Sequence, residues 1–139
     1  MLVRDGMLSD PVALAADASA QEAAEHLVRP EVRAVLVVDA DGVLVGVVTP
    51  NALVERVVAP GRDPGTTPLS EVAVPPLLVL DADLSLDEGY RLLEEAEAER
   101  APVTEGGRLL GVLSRSVVQR RLAEDEPPSE EPAEGYSYT

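Results

Sequence analysis

One segment of this sequence occurs twice. "GVVTPNAL" at residues 46–53 returns as "GVLSRSVV" at residues 111–118, which is 65 positions later. Residue pairs with this spacing occur along both halves: Pro11 and Pro76, Gly46 and Gly111, and Thr49 and Ser114. An internal repeat constrains the fold strongly, because each copy has to bury an equivalent apolar face. The sequence therefore predicts two similar halves that share one core.

Each half contains a signal for the start of a helix. In a capping box, a serine and a glutamate three residues later satisfy exposed backbone groups of the first helical turn. Ser19 with Glu22, and Ser85 with Glu88, fit this pattern. Apolar residues at helical spacing follow both serines, so we expect an amphipathic helix near the start of each half.

A hairpin signal follows each predicted helix. Asp41-Gly42 separates two β-branched runs in "VLVVDADGVLVGVV", and Gly106-Gly107 lies within "APVTEGGRLLGVL". Glycine tolerates the positive φ that tight hairpin turns require. A hydroxyl residue and a second helical pattern come next. A short apolar stretch opens each half and is predicted to be its first strand: "PVAL" in the first half and "LLVL" at residues 77–80 in the second. Each half is thus predicted to run strand, helix, strand, strand, helix.

These patterns divide the chain into four parts. The first repeat is predicted to span residues 1–60 and the second residues 69–123, joined by a linker at residues 61–68 that is rich in proline and glycine. Residues 124–139 contain six acidic residues, three prolines and no basic residue. Such a composition cannot bury enough apolar surface to order itself, so we expect a disordered acidic tail. The predicted fold class is α+β, with two βαββα repeats.

Composition excludes several classes of function. The formal net charge of −15 and the scarcity of aromatic residues argue against a nucleic-acid partner. Without cysteine, the chain has no thiolate zinc site, disulfide or cysteine nucleophile. His26, the one histidine, lies on a predicted helix without a second metal ligand nearby, and a solvated position is expected. We found no signal peptide or membrane span and no nucleophile paired with a base, so we expect a cytoplasmic protein that is not an enzyme.

The duplicated pattern resembles the CBS (cystathionine β-synthase) domain, which occurs in tandem pairs called Bateman modules. "RAPVTEGGRLLGVLS" from Arg100 is similar to the hairpin segment of that family, and "VRDGM" at residues 3–7 is similar to the segment that opens such a domain. The resemblance implies two repeats packed as a pseudo-two-fold pair, with two clefts between them. It also implies regulatory sensing of an adenosine derivative such as AMP, ATP or S-adenosylmethionine, and association into a homodimer.

The resemblance also assigns candidate ligand contacts. In the family pattern of glycine, two apolar residues, Thr or Ser, two variable residues and Asp, the hydroxyl contacts sugar or phosphate and the Asp holds the ribose. Thr49 and Ser114 match the hydroxyl position, but Ala52 and Val117 stand where the Asp would be. A hydrogen bond to a charged group contributes about 1.5 to 3 kcal/mol, which is roughly 10- to 150-fold in affinity. Any adenosine derivative is therefore expected to bind atypically.

Arginines supply the remaining candidates. Arg115 directly follows Ser114 and could make a charge-assisted contact with phosphate, while Arg33 and Arg100 lie beside the predicted central strands. Thr49 and Ser114 have an alternative role in capping the helices that follow them, and Arg115 could be a solvated surface residue. Two functions stay open at this point. One is a regulatory module that senses a small molecule, and the other is a ligand-free scaffold for dimerisation or protein docking.

Overall fold

The structure, a computed structural model, describes residues 1–9 and 11–125. Most of the predicted acidic tail, residues 126–139, lies outside the described residues. The helices of three residues or more are α1 (Val3–Gly6), α2 (Ala20–Leu27), α3 (Pro50–Leu53), a π-helical turn (Val54–Val58), a 3₁₀ turn (Leu69–Glu71), α4 (Leu86–Glu95) and α5 (Arg115–Asp125). The strands are β1 (Ala13–Ala15), β2 (Val35–Val38), β3 (Leu44–Val48), β4 (Leu80–Asp81), β5 (Arg100–Glu105) and β6 (Arg108–Ser114).

The two halves contain equivalent three-stranded sheets. In the first sheet β1 pairs parallel with β2, and β2 pairs antiparallel with β3. In the second sheet β4, β5 and β6 repeat this order and these directions. A parallel pair needs a crossover, and α2 and α4 supply it. The predicted order of strand, helix, strand, strand, helix and the α+β class are confirmed.

The two capping boxes form to different extents. Ser19 accepts a hydrogen bond from the backbone N–H of Glu22 at 3.2 Å, and the Glu22 carboxylate accepts one from the N–H of Ser19 at 3.4 Å. Ser85 accepts from the N–H of Glu88 at 3.1 Å, but the Glu88 carboxylate pairs with Arg91 instead. This hydrogen bond from Arg91 is the main reason that the pKa of Glu88 is lowered. The second box is therefore only half formed.

Each half of the chain lends its leading segment to the core of the other half. Val3 of α1 is fully buried among residues of the second half, and the Leu8 N–H donates to the Val112 carbonyl at 2.8 Å. Conversely, Leu69 is fully buried in the core of the first half, and the Val74 N–H donates to the Val47 carbonyl at 2.9 Å. Each packed half therefore consists of most of one sequence repeat together with the leading segment of the other repeat.

The hairpin ends of the two halves also meet. The Leu44 N–H donates to the Gly107 carbonyl and the Leu109 N–H donates to the Gly42 carbonyl, both at 3.0 Å. Gly42, Gly106 and Gly107 all have positive φ, as their predicted turns require. These reciprocal contacts hold the halves together at one end and leave a cleft elsewhere between them.

Candidate functional site

A cavity of about 450 Å³ lies between the two halves. This volume is in the range of roughly 300–1,000 Å³ that is typical of small-molecule sites. Matching positions of both repeats line it, including Pro11 with Pro76 and Val47 with Val112. Its walls are mainly aliphatic, and the charged residues that line it are Glu31, Arg33, Glu99 and Arg100. The cavity can therefore bury an apolar body and hold a charged group with a few polar contacts.

The charged residues of the cavity do not follow the repeat. Strand registers pair Val35 with Val48 and Ala101 with Leu113, so Val35 and Ala101 are equivalent. One position earlier, Arg100 is equivalent to an alanine of the first half, and Glu99 is equivalent to Arg33. Arg100 and Glu99 therefore lie side by side on the second half. The cavity is symmetric in its aliphatic walls and asymmetric in its charge.

Arg115 contacts the cavity through Glu99. Its guanidinium Nη2 lies 3.4 Å from Glu99 Oε1, and its backbone N–H donates to the Glu99 carbonyl at 2.8 Å. Arg115 is the first residue of α5, where the partial positive charge of the helix end also favours an anion. Its side chain is 33% exposed and that of Glu99 is 59% exposed. The second half thus places Arg100 and Glu99 on the wall of the cavity, and Arg115 next to Glu99 but outside the residues that line it.

The two hydroxyl residues of the repeated motif have different surroundings. Thr49 Oγ1 accepts a hydrogen bond from the Ala52 N–H at 3.1 Å and caps α3, which is only four residues long. Ser114 is buried, at 4% exposure, and its Oγ lies 3.1 Å from Ser116 Oγ. Neither hydroxyl residue is among the residues that line the cavity. The geometry shows helix capping at Thr49 and a serine pair at Ser114.

The positions that lack the expected Asp also differ. Ala52 is 2% exposed and belongs to the core of the first half. Val117 is only partly buried, on the first turn of α5. An aspartate at residue 52 would therefore have to enter a packed aliphatic core, whereas residue 117 has contact with solvent. In the first half, this position of the motif therefore serves the packing of the core.

The glycines of the repeated motif are explained by backbone contact between the halves. A Cβ added at Gly111 would lie 2.3 Å from the Leu8 carbonyl oxygen, and one added at Gly46 would lie 2.8 Å from the Val74 carbonyl oxygen. Both distances are too short for a real side chain. The repeated "GVVT" and "GVLS" segments thus mark the sites where each half receives the leading segment of the other.

Sequence reasoning did not select Glu99 as a candidate site residue, and it expected two clefts where one main cavity lies between the halves. Glu99 immediately precedes Arg100. No sequence pattern predicts that its side chain contacts Arg115 at the start of α5. Two clefts were expected, and the 450 Å³ cavity takes lining residues from both halves. A second, shallower cavity of about 300 Å³ lies near the hairpin end and includes Ser9 and Leu110.

Among residues 1–9 and 11–125 there is no group of three or more His, Cys, Asp and Glu side chains arranged to hold a metal ion. Within the same part of the chain, every helix is too short or too polar to cross a membrane.

The fold and the cavity between paired halves define the class of protein. The family model of the CBS domain matches the chain twice, at residues 3–59 and 69–124. This chain belongs to the CBS-domain family and contains a tandem pair of these domains. CBS pairs are typically regulatory modules, and some of them bind AMP.

Comparison with particular proteins gives the same result. The chain is 31% identical over 112 residues to the CBS domain-containing protein YhcV of Bacillus subtilis (strain 168), which covers 81% of this chain and 79% of that protein. It is 29% identical over 102 residues to Hypoxic response protein 1 of Mycobacterium tuberculosis (strain ATCC 25618 / H37Rv), covering 73% of this chain and 71% of that protein.

Solved structures share the same architecture. The crystal structure of CBSX2 in complex with AMP matches with a TM-score of 0.71 and 26% identity, over 88% of this chain and 96% of that one. The crystal structure of Hypoxic Response Protein I with two coordinated zinc ions matches with a TM-score of 0.71 and 25% identity, over 91% of this chain and 100% of that one.

Proposed function

We propose that this chain is a non-catalytic regulatory module that senses a small anionic molecule, with an adenosine derivative as the first candidate. The observation that carries this proposal is the cavity of about 450 Å³, which has aliphatic walls and arginines at its edge. An apolar body with a few convergent polar groups is the usual character of a ligand site. The ligand changes the stability of the paired halves and thereby passes a signal to a partner.

The arginines give the proposed site a preference for anions. Arg33 and Arg100 line the cavity, and Arg115 lies behind Glu99 at the same edge. Guanidinium groups bind phosphate and carboxylate through paired hydrogen bonds, which makes them effective anion receptors. Ser114, next to Arg115, is a further candidate contact if the ligand reaches the start of α5. Thr49 is a weaker candidate because its hydroxyl already caps α3.

Similarity to a structure in complex with AMP supports an adenosine derivative. AMP, ATP and S-adenosylmethionine are the candidates, and Ala52 and Val117 leave the ribose without its usual aspartate. The ligand would then depend on its charged group and on apolar contacts more than on its sugar. We therefore expect AMP and ATP to bind more strongly than the uncharged nucleoside adenosine.

Thermal unfolding with AMP, ATP and S-adenosylmethionine tests this function. A ligand present at about 100 times its dissociation constant should stabilise the folded protein by roughly 2.7 kcal/mol. Arg115→Ala should weaken AMP binding several-fold, because it removes a charge-assisted contact. Arg120→Ala is the matched control, since Arg120 is an exposed arginine on the same helix and, unlike Arg115, does not contact Glu99 of the cavity wall.

The outcomes separate the parts of this proposal. Unchanged unfolding temperatures with all three ligands at millimolar concentration would end the nucleotide-sensing function. A shift that is equal in wild type, Arg115→Ala and Arg120→Ala would keep sensing but remove Arg115 from the site.

A second candidate function is a scaffold in which the chain pairs with a second copy of itself. Exposed valines favour it, because Val28 at the end of α2 is 77% exposed, and Val54 and Val58 of the π-helical turn are 55% and 68% exposed. The π-helical turn continues directly from α3, and α3 contacts α2. A ligand-free homodimer in light scattering that Val58→Glu converts to a monomer would support the scaffold, and a wild-type monomer at high concentration would argue against it.

A further inference from the structure

We propose that Glu99 is a built-in competitor for the anionic group of the ligand and sets the affinity of the site. Before a ligand binds, the Glu99 carboxylate pairs with Arg115, and an incoming phosphate replaces it. This inference rests on the proposed function and adds to it a residue that tunes specificity. The Glu99 carboxylate makes the affinity for the anionic ligand lower than the arginines alone would give.

The position of Glu99 joins the cavity to Arg115. Glu99 lines the cavity next to Arg100, and its Oε1 lies 3.4 Å from Arg115 Nη2. The Glu99 carbonyl also accepts the Arg115 backbone N–H at 2.8 Å, which fixes the two residues relative to one another. An anion that binds Arg115 must therefore compete with the Glu99 carboxylate for its guanidinium. Only the side-chain contact has to open, since the backbone bond can stay in place.

The contact between Glu99 and Arg115 is weak enough for a phosphate to displace the carboxylate. Charge-assisted hydrogen bonds are usually about 2.7–2.9 Å long, so 3.4 Å marks a loose contact. The Glu99 side chain is 59% exposed and can turn into solvent when it is displaced. Exposed ion pairs of this kind hold together weakly. A phosphate, which offers several oxygens to one guanidinium, competes well against a single carboxylate.

Glu99→Gln tests the competition directly, with AMP as the probe in isothermal titration calorimetry. Removal of the carboxylate charge should raise AMP affinity about two- to five-fold, the range of a surface ion pair. The affinity for adenosine should not change, because adenosine has no anionic group to compete for Arg115.

Two controls isolate the contact with Arg115. Glu31→Gln also removes one negative charge from the cavity wall, but no ion pair of Glu31 is found within the described residues. It should therefore raise AMP affinity less than Glu99→Gln does. In the Arg115→Ala background, Glu99→Gln should raise AMP affinity no more than Glu31→Gln does, because the group for which the carboxylate and the phosphate compete is gone and only the general effect of one lost negative charge remains.

Each outcome decides the inference. A gain with Glu99→Gln that exceeds the gain with Glu31→Gln, and that falls to the Glu31→Gln level in the Arg115→Ala background, supports it. Equal gains for the two variants, or no gain, overturn the role of Glu99 while AMP binding by wild type still upholds the proposed function. Absence of AMP binding in wild type and in Glu99→Gln overturns both.

Discussion

At the scale of single residues, the two copies of the repeated motif share a packing role in their glycines and differ in the residues that follow. Gly46 and Gly111 keep the backbone of one half close to that of the other, whereas the residues that follow them differ between the copies. Pro50 follows Thr49 in the first copy, and Arg115 follows Ser114 in the second. An arginine at this place, next to Glu99, is the reason that the proposed anion contact is assigned to the second half.

Alanine substitution should distinguish the motif glycines from an ordinary glycine. Gly111→Ala should lower the free energy of unfolding by about 1–3 kcal/mol or more, because the new Cβ would meet the Leu8 carbonyl at 2.3 Å. Gly46→Ala should cost less, since its closest contact is 2.8 Å. Gly65→Ala is the control, because its Cβ would meet only side-chain oxygens at 3.3 Å or more. Urea denaturation measures all three, and a Gly111→Ala protein as stable as wild type would refute the close-contact explanation.

At the scale of elements, the starts of the helices determine which hydroxyl groups are already hydrogen-bonded to the backbone. Ser19, Thr49 and Ser85 each accept a backbone N–H at the start of a helix. Glu88, released from its capping box, pairs with Arg91 on the same helix, and its lowered pKa means that this contact stabilises at neutral pH. The contribution is lost as the pH falls through the lowered pKa of Glu88.

Thr49→Ala tests whether the hydroxyl at α3 is a cap or a ligand contact. As a cap, its loss should reduce the free energy of unfolding by about 1 kcal/mol, within the range of roughly 0.5–2 for N-cap residues. AMP affinity should stay unchanged, because Thr49 does not line the cavity. Thr49→Ser retains the hydroxyl and should behave as wild type. A large loss of affinity without a loss of stability would instead make Thr49 a ligand contact.

At the scale of the whole molecule, the halves are joined by exchange of their leading segments. Val3 and Leu69 are each fully buried in the core of the half to which their sequence repeat does not belong. Arg4 of α1 strengthens one of these junctions through ion pairs with Asp83 and Glu105 at 2.7 and 2.6 Å. A ligand in the cavity between the halves would therefore act on a unit that unfolds as one body.

Leu69→Ala should show this exchange. Leu69 belongs to the second sequence repeat, but the cavity left by its truncation would open in the core of the first half and cost about 2–5 kcal/mol. Leu77→Ala, at a side chain that is 76% exposed, should change stability little. Hydrogen exchange should show that amides of β2 and β3 lose protection at least as much as those of β5 and β6. Selective loss in β5 and β6 would contradict the exchange.

Much of the fold could be predicted from the sequence because its signals are local. The serines before α2 and α4 and the glycines of the hairpins each act through neighbouring residues. Because the duplication at 65 residues repeats these local signals, they predict the same order of elements in both halves. Strand boundaries were less accurate. The apolar stretch at residues 77–80 was expected to be a strand, and β4 is only Leu80–Asp81, because pairing with β5 decides where that strand begins.

The sequence by itself determined that this chain is a pair of βαββα units, since repeats and caps are written in consecutive residues. Only the tertiary structure decided which arginines line the same cavity and which carboxylate pairs with an arginine. Glu99 and Arg115 are brought together by the antiparallel pairing of β5 with β6, and Arg33 and Arg100 line one cavity because the two halves pack against one another. Contacts between residues far apart in the chain depend on the packing of the whole, and no local pattern encodes them.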